Sequence, residues 1–331
     1  RKMNERGTHM QETTTVHRLE CSVDWPPENV AAYFVDCAEP ILFDAGMAGE
    51  QARDELIADL DDHGHELADI DHLVVTHPHT DHIGQVQAVI DAADPEVYAP
   101  ATVRERFERE PEGLEATVRE NAQKAGVQGE YLDEAVEMSV DSLKRDSSLL
   151  PSEAVDHWLG RGETVDIGPL TVETVHTPGH QADHLCYLAD LDGERVLFSG
   201  DMALGTFRPV AMHTGFDDGY EEAIDAFYTA LDTLGEIDVD RVFTGHDAPH
   251  TDFADAVERD RESLDRLLDR TREALVDGSG STAVDIAFQR SGDRNMEYLV
   301  IETASALAHL EREGELTGET DEHGVRRYEV A

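Results

Sequence analysis

Short apolar runs alternate with stretches of helical spacing through the first hundred residues. Residues 16–20, 31–35 and 40–43 read as strands. Ala52, Leu56, Ile57 and Leu60 recur at helical spacing and predict a helix over 49–62. A strand over 70–76 follows, then a helix over 83–93 and a strand over 97–99. This β-β-β-α-β-α-β order predicts a layered α/β domain. Residues 101–150 break the pattern. They are charged and helical in composition, with a sparse apolar stripe (Leu114, Val118, Leu132, Val136, Met138, Val140, Leu143). We read 101–160 as a helical insertion or lid, with a plain surface helical pair as the alternative.

Strands resume at 163–167 and 170–176 around the Gly168-Pro169 turn, and at 185–188 and 196–199 around Asp192-Gly193. A helix over 219–235 and a strand over 241–244 complete this part. Beyond residue 255 the character changes. A charged amphipathic helix over 256–277 carries Leu264, Leu267, Leu268 and Leu275, and Gly278-Ser279-Gly280 breaks it. Helices over 281–289 and 297–313 and a hairpin over 315–330 follow, which together describe a winged-helix-like module. The expected organisation is one domain over 11–255 and a helical or winged-helix-like domain over 256–331. Residues 1–10 read as unstructured, and Gly7-Thr8-His9-Met10 resembles a cloning scar.

Composition changes this picture in one respect. The formal net charge is −47, from 73 acidic and 26 basic residues. Only Lys2, Lys124 and Lys144 are lysines. The apolar periodicity argues against an acidic disordered chain. A folded protein with a carboxylate-covered surface remains, a pattern that resembles proteins of extreme halophiles, where molar salt screens self-repulsion. Cys21, Cys37 and Cys186 are scattered, with no CxxC pair, so neither a disulfide framework nor a thiolate zinc site is suggested. No run approaches the length of a membrane span, and a cytoplasmic location is expected.

The chemistry concentrates in His77-Pro78-His79-Thr80-Asp81-His82, directly after the strand over 70–76. Four potential metal ligands within six positions, at the end of a strand, point to a catalytic metal centre. Three further segments place one ligand type each at a strand end: Thr177-Pro178-Gly179-His180, Ser199-Gly200-Asp201 and Thr244-Gly245-His246. A Gly precedes the ligand in each, permitting the turn that re-aims a side chain where a strand stops. Five His and two Asp suit Zn2+, Fe2+ or Mn2+.

With Phe43-Asp44-Ala45-Gly46 ahead of them, these segments resemble, in type and order, the metallo-β-lactamase-fold superfamily of hydrolases, in the branch that includes hydroxyacylglutathione hydrolases. The resemblance covers residues 16–250. It implies an αββα sandwich with metals at one edge. It also implies a first metal held by His77, His79 and His180, a second held by Asp81, His82 and His246, and Asp201 bridging both. Asp44 would orient a ligand from behind. The implied cofactors are two divalent ions, Zn2+ first and Fe2+ or Mn2+ as alternatives, sharing a hydroxide that attacks a carbonyl or phosphoryl centre. Asp81 is the candidate to orient that nucleophile and shuttle its proton. His184, Arg208 and His213 are candidate substrate-side residues. His176 reads as a packed or surface histidine, and His63, His65, His72, His157, His250, His309 and His323 as solvated.

The expected activity is hydrolysis of a small ester, thioester or lactone. The tail lacks the basic cluster with which relatives in that branch grip glutathione, which weakens the glutathione thioester reading. Two alternatives stand beside it. A single-strand nuclease or phosphodiesterase is suggested by the winged-helix-like tail, but its third helix carries Glu297, Glu302, Glu311 and Glu313 against Arg312 and is not a basic reading surface. A mononuclear iron sulfur dioxygenase needs only the first set of histidines and the bridging Asp, and the intact second set argues against it. The expected partner is a small molecule, rather than nucleic acid or membrane. The tail reads as a dimerisation or cleft-wall element, making a second copy of this chain a candidate partner.

Overall fold

The computed structural model describes residues 14–275, 280–291 and 296–331. The expectations for residues 1–10 and for Gly278-Ser279 lie outside these. The first half contains β1 (Thr15–Ser22), β2 (Asn29–Asp36), β3 (Ile41–Phe43), α1 (Glu50–Asp62), β4 (His72–Val74), α2 (Thr80–Ile83), α3 (Val86–Ala93) and β5 (Glu96–Pro100). Then come α4 (Ala101–Phe107), α5 (Pro111–Ala125), α6 (Glu130–Leu149) and β6 (His157–Leu159). The next group is β7 (Thr164–Ile167), β8 (Leu170–His176), β9 (Leu185–Leu191), β10 (Glu194–Gly200), α7 (Ala223–Gly235) and β11 (Arg241–Thr244). The chain ends with α8 (Phe253–Ala274), α9 (Ala283–Ser291), α10 (Met296–Arg312) and the hairpin β12 (Leu316–Thr320) and β13 (Arg326–Val330).

Two mixed sheets face each other. The first has the order β1-β2-β3-β4-β5-β6 and the second β11-β10-β9-β8-β7. The antiparallel β1–β2–β3 pairings give way to parallel β3–β4, β4–β5 and β5–β6 pairings. In the second sheet only β10–β11 is parallel. Three apolar clusters make the layers cohere. One lies between the sheets and contains Tyr33, Phe43, Tyr187, Phe198 and Phe243, with Phe43 stacked on Phe198 at 3.8 Å. A second packs α1 and α3 on the outer face of the first sheet through Phe34, Leu42, Leu56, Leu73 and Val89. The third covers the outer face of the second sheet. Strands buried on both faces read as continuous apolar runs rather than alternating ones, which is why residues 31–35 and 41–43 carry no polar positions. This is the αββα architecture expected from the sequence.

Several elements differ from expectation for identifiable reasons. The helix expected over 83–93 is broken at Gly84 and Gln85. A Cβ on Gly84 would lie 2.0 Å from the Ala48 nitrogen, and the Gly84 N–H donates to the Gly46 carbonyl at 2.8 Å. The Gly46–Ala48 segment therefore crosses directly over the helix and interrupts it. His72, expected in solvent, is buried at the foot of β4 with Glu39 3.2 Å from its Nε2. His65, His250 and His309, also expected in solvent, are half-buried against Asp36, the Ala203 carbonyl and Asp225.

The helical segment of 101–149 lies between two hydrogen-bonded neighbours, β5 and β6. It packs through Leu114, Val118, Val136 and Leu143 into the third cluster, which also holds Leu264, Leu268, Leu307 and Tyr328 from the tail. The tail thus shares a core with the second sheet. No helix among the described residues is long and apolar enough to cross a membrane.

Among the described carboxylates only Asp44, Asp81, Asp183, Asp201, Asp260 and Glu302 are buried, so the excess negative charge sits on the surface. Raising KCl from ~0.1 M to ~1 M shortens the Debye length from about 10 Å to about 3 Å. We expect this to raise the melting temperature by several degrees. A thermal melt insensitive to KCl would rule out surface repulsion as a significant destabilising force.

Candidate metal centre

The ligand-type residues meet where β4, β8, β10 and β11 end. β4 stops at Val74, and the chain turns through Thr76 to His77 and His79 before α2 carries Asp81 and His82. Hydrogen bonds join the sheets at this edge. The Leu185 N–H donates to the Thr76 carbonyl at 2.9 Å and the Ala31 N–H to the Gly245 carbonyl at 2.7 Å. Two tyrosines of the inter-sheet core reach the same loops: Tyr187 donates to the Val75 carbonyl and Tyr33 to the Thr244 carbonyl, both at 2.7 Å.

Two groups of donor atoms result, each with its atoms within 4.8 Å of one another: His77, His79, His180 and Asp201, and Asp81, His82 and His246. In the first, His79 Nδ1 lies 3.0 Å from His77 Nε2 and 3.1 Å from His180 Nε2. In the second, His246 Nε2 lies 3.4 Å from Asp81 Oδ2. Asp201 stands between them. Its Oδ2 is 3.1 Å from His180 Nε2 and 3.9 Å from His77 Nε2, while its Oδ1 is 3.1 Å from His82 Nε2 and 3.4 Å from His246 Nε2.

Four imidazoles are fixed from behind through Nδ1. His82 donates to Asp44 Oδ2 at 2.8 Å, His180 to the Val210 carbonyl at 2.8 Å and His246 to the Asn29 carbonyl at 2.6 Å. Asp44 also accepts from the Thr76 N–H and hydroxyl, both at 2.8 Å. With its proton committed to Asp44, the Thr76 oxygen accepts from His77 Nδ1 at 3.0 Å. Each Nδ1–H so placed leaves the Nε2 lone pair aimed at the common centre, the arrangement by which carboxylates and carbonyls orient metal-binding histidines.

The donor set fits divalent metal ions. Ligand atoms of a tetrahedral Zn2+ bound through nitrogen sit about 3.3 Å apart, close to the spacings here. His82 Nε2 and Asp201 Oδ1 are buried, 3.1 Å apart, and have no hydrogen-bond partner among the described residues, an expensive condition that an ion between them would relieve. The electrostatics agree. Burial and neighbouring imidazoles push His77 and His79 well below the usual histidine range, keeping their lone pairs free. Burial opposes charge on His246, yet Asp201 raises it to about 9. His82 is likewise raised against its burial by Asp201, Asp44 and Asp81. Burial would raise the Asp201 carboxyl, but His246 and His82 hold it well below the carboxylate range. The second group therefore attracts positive charge.

Asp81, His79, His180, Asp201 and His246 line one wall of a cavity of about 720 Å³. Its other walls come from the 25–27 loop, from α4–α6, from the 207–217 loop and from Tyr298 and Ile301 of α10. The helical insertion and the tail both bound the cavity.

The three candidate substrate-side residues separate. His213 lines the cavity, half-buried, and its backbone clamps the Gly179–His180 turn by donating hydrogen bonds to both carbonyls. His184 does not reach the cavity. It packs on His77 at 4.7 Å between ring centroids and accepts the Asp201 N–H on Nε2 at 3.1 Å. Arg208 is also turned away: it packs against Phe227 and donates to Glu302 of α10 at 2.7 Å, to the Pro209 carbonyl and to Ser263. A loop position after Asp201 does not show that Arg208 finds a carboxylate in the tail.

Sequence reasoning missed Arg106, Gln181 and Asp183. Arg106 Nε donates to Asp183 at 2.5 Å, and Gln181 Nε2 to the same oxygen at 3.1 Å, on the cavity wall beside His180. The 77 positions between Arg106 and Asp183 left no local signal.

The chain is thus an αββα protein with two histidine–carboxylate groups at the sandwich edge. It belongs to the metallo-beta-lactamase superfamily, whose family model matches residues 25–246. A beta-lactamase-like protein 2 homolog of Caenorhabditis elegans is 26% identical over 229 residues, 68% of this chain and 58% of that protein. The chain therefore spans little more than half the length of that relative. A hydroxyacylglutathione hydrolase of Rhodopseudomonas palustris is 23% identical, covering 76% of this chain and 77% of that protein. A metallo-beta-lactamase family protein of Thermus thermophilus has a structure superposing with a TM-score of 0.73 at 23% identity, over 96% of this chain and 98% of that one. The likeness to that structure extends through the tail.

Two substitutions check this geometry. A Cβ on Gly245 would lie 2.5 Å from Asp201 Oδ1 and 2.8 Å from His82 Cε1. Gly245 is thus required for close approach of the β11 loop to the carboxylate. Gly245→Ala is expected to keep the fold by circular dichroism while lowering bound metal at least ~10-fold in affinity, read by elemental analysis after dialysis. Arg208→Met would leave the buried Glu302 with the Ala211 N–H at 3.1 Å and Arg290 at 3.6 Å among the described residues, and without its closest cation. Breaking such a pair costs about 3 kcal/mol, so denaturant melts should show a large loss of stability, with KM unchanged in the folded fraction.

Proposed function

We propose that this protein is a metal-dependent hydrolase acting on the carbonyl of a small ester, thioester or lactone. The observation that carries this reading is the Asp201 carboxylate, whose two oxygens face two different donor groups on a cavity wall. Two divalent ions there, Zn2+ or else Fe2+ or Mn2+, would lower the pKa of a shared water toward neutrality and polarise the scissile carbonyl. His77, His79 and His180 with Asp201 would hold one ion. Asp81, His82 and His246 with the other Asp201 oxygen would hold the second. Asp44 and Thr76 keep His82 and His77 in the required tautomers.

Asp81 carries the proton. Its carboxylate borders the cavity beside His246. It orients the attacking water, accepts its proton as the oxygen bonds to the carbonyl carbon, and returns it to the alkoxide or thiolate as the C–O or C–S bond breaks. The wall beyond is mixed. Arg106, Arg109 and Arg145 reach it, but each is paired with a carboxylate: Asp183, Asp217 and Asp146. Charge already neutralised in this way supports an acyl substrate over a phosphodiester strand, which needs uncompensated cations along its path.

The test is a panel of esters, thioesters, lactones and phosphodiesters with Zn2+, Mn2+ or Fe2+ in molar KCl. Turnover of a carbonyl substrate is expected. Asp81→Ala should lower kcat at least ~100-fold with unchanged circular dichroism, and retained activity would refute its role. Cleavage of phosphodiesters alone, or oxygen consumption with one iron per chain, would overturn the proposal.

A further inference from the structure

A second histidine–carboxylate cluster lies at the opposite end of the first sheet. β2 begins at Asn29, whose carbonyl holds His246, and ends at Asp36. Seven steps at about 3.3 Å each put Asp36 roughly 23 Å along the strand from Asn29, at the end away from the candidate metal centre. β1 pairs with β2 so that Thr15 faces Asp36 and His17 faces Phe34. Side chains two apart share a face of a strand, so His17, Phe34 and Asp36 lie on the same face of the sheet, the one covered by α1. The C-terminal end of α1 delivers His63 and His65 onto that face, the N–H groups of both donating to the Leu60 carbonyl.

The contacts are those of a ligand set. A donor atom from each of His17, Asp36 and His65 lies within 4.8 Å of the others. His65 Nε2 is 3.4 Å from Asp36 Oδ2, against about 3.3 Å between ligand atoms of tetrahedral zinc. On the other side of the same ring, Nδ1 lies 3.8 Å from Asp69 Oδ2, beyond hydrogen-bond distance. The ring packs on Phe34 at 4.6 Å, and His17 packs on His63 at 4.1 Å. His17, Asp36 and His65 are half-buried, which limits the rotamer entropy lost on binding.

We propose that His17, Asp36 and His65 form a separate site for a borderline divalent ion of the Zn2+ type, with water completing a tetrahedral set. Two imidazoles and one carboxylate are the donors such ions select. The ion would tie β1 to the end of α1, adding to the hydrogen bonds that the Glu20 and Ser22 N–H groups donate to Asp59 and Glu55, both at 2.7 Å. Its contribution is to stability, growing with free metal concentration.

The experiment titrates Zn2+ into the full chain and into a His17→Gln, His65→Gln double variant, counting bound zinc per chain at controlled free Zn2+. The wild type is expected to bind one equivalent more than the variant, and only the wild type should gain thermal stability from that equivalent. Hydrolytic turnover should be equal in both. The comparison is a difference between two proteins with the same distant centre, so it holds whether or not that centre is a hydrolase. Asp36→Asn, nearly isosteric, provides the same reading if the double variant melts early without metal. Equal stoichiometry and equal Zn2+-dependent melting in wild type and Asp36→Asn would overturn the proposal.

Discussion

Lone pairs that converge repel one another, and the candidate centre exists only because the protein holds them together from behind. Asp44 illustrates the constraint. One buried carboxylate accepts from the Thr76 N–H, the Thr76 hydroxyl and His82 Nδ1, all at 2.8 Å. It fixes one imidazole directly and a second through Thr76. Backbone carbonyls of Val210 and Asn29 do the same for His180 and His246. An imidazole with Nδ1–H committed to a fixed acceptor has one orientation and one free lone pair. The orientation of the candidate donors is therefore set by the groups bonded behind them.

Those partners are positioned by the sandwich. Asp44 follows β3, Thr76 follows β4, and the Asn29 carbonyl opens β2, so three adjacent strands of one sheet supply three of the four supports, and Val210, after β10, supplies the fourth. His180, Asp201 and His246 come from the second sheet. Tyr33 and Tyr187 cross the space between the sheets to bond the loops themselves. Packing of Phe43 on Phe198 keeps the sheets at fixed separation. A shift of one sheet against the other would part the Asp201 oxygens from the His77 and His82 groups at once, which couples the inter-sheet core to the centre.

Much of this was legible along the chain. Apolar runs located the strands, and the ligand-type residues stood at their ends in an ordered series. What could not be read were contacts made by residues far apart with no periodic signal. Arg208 meets Glu302 across 94 positions, and Arg106 meets Asp183 across 77. His184 resembled a cleft residue because it follows His180 by four positions, yet the turn closed by the His184 N–H on the Gln181 carbonyl places it behind His77. Gly84 looked like one position in a helix and proved to be where another loop crosses.

The sequence by itself picked out the candidate donors and the strand ends they occupy, because strand periodicity and ligand spacing are local properties that survive without knowledge of packing. The resemblance implied how the donors divide between two groups with one carboxylate facing both, and the tertiary structure supplied the distances; it alone decided that the 101–149 helices and the tail wall the cavity. It also brought His17, Asp36 and His65 together, though they are dispersed over β1, β2 and the end of α1. These are matters of distances between elements, fixed when the buried faces of sheets and helices close on one another.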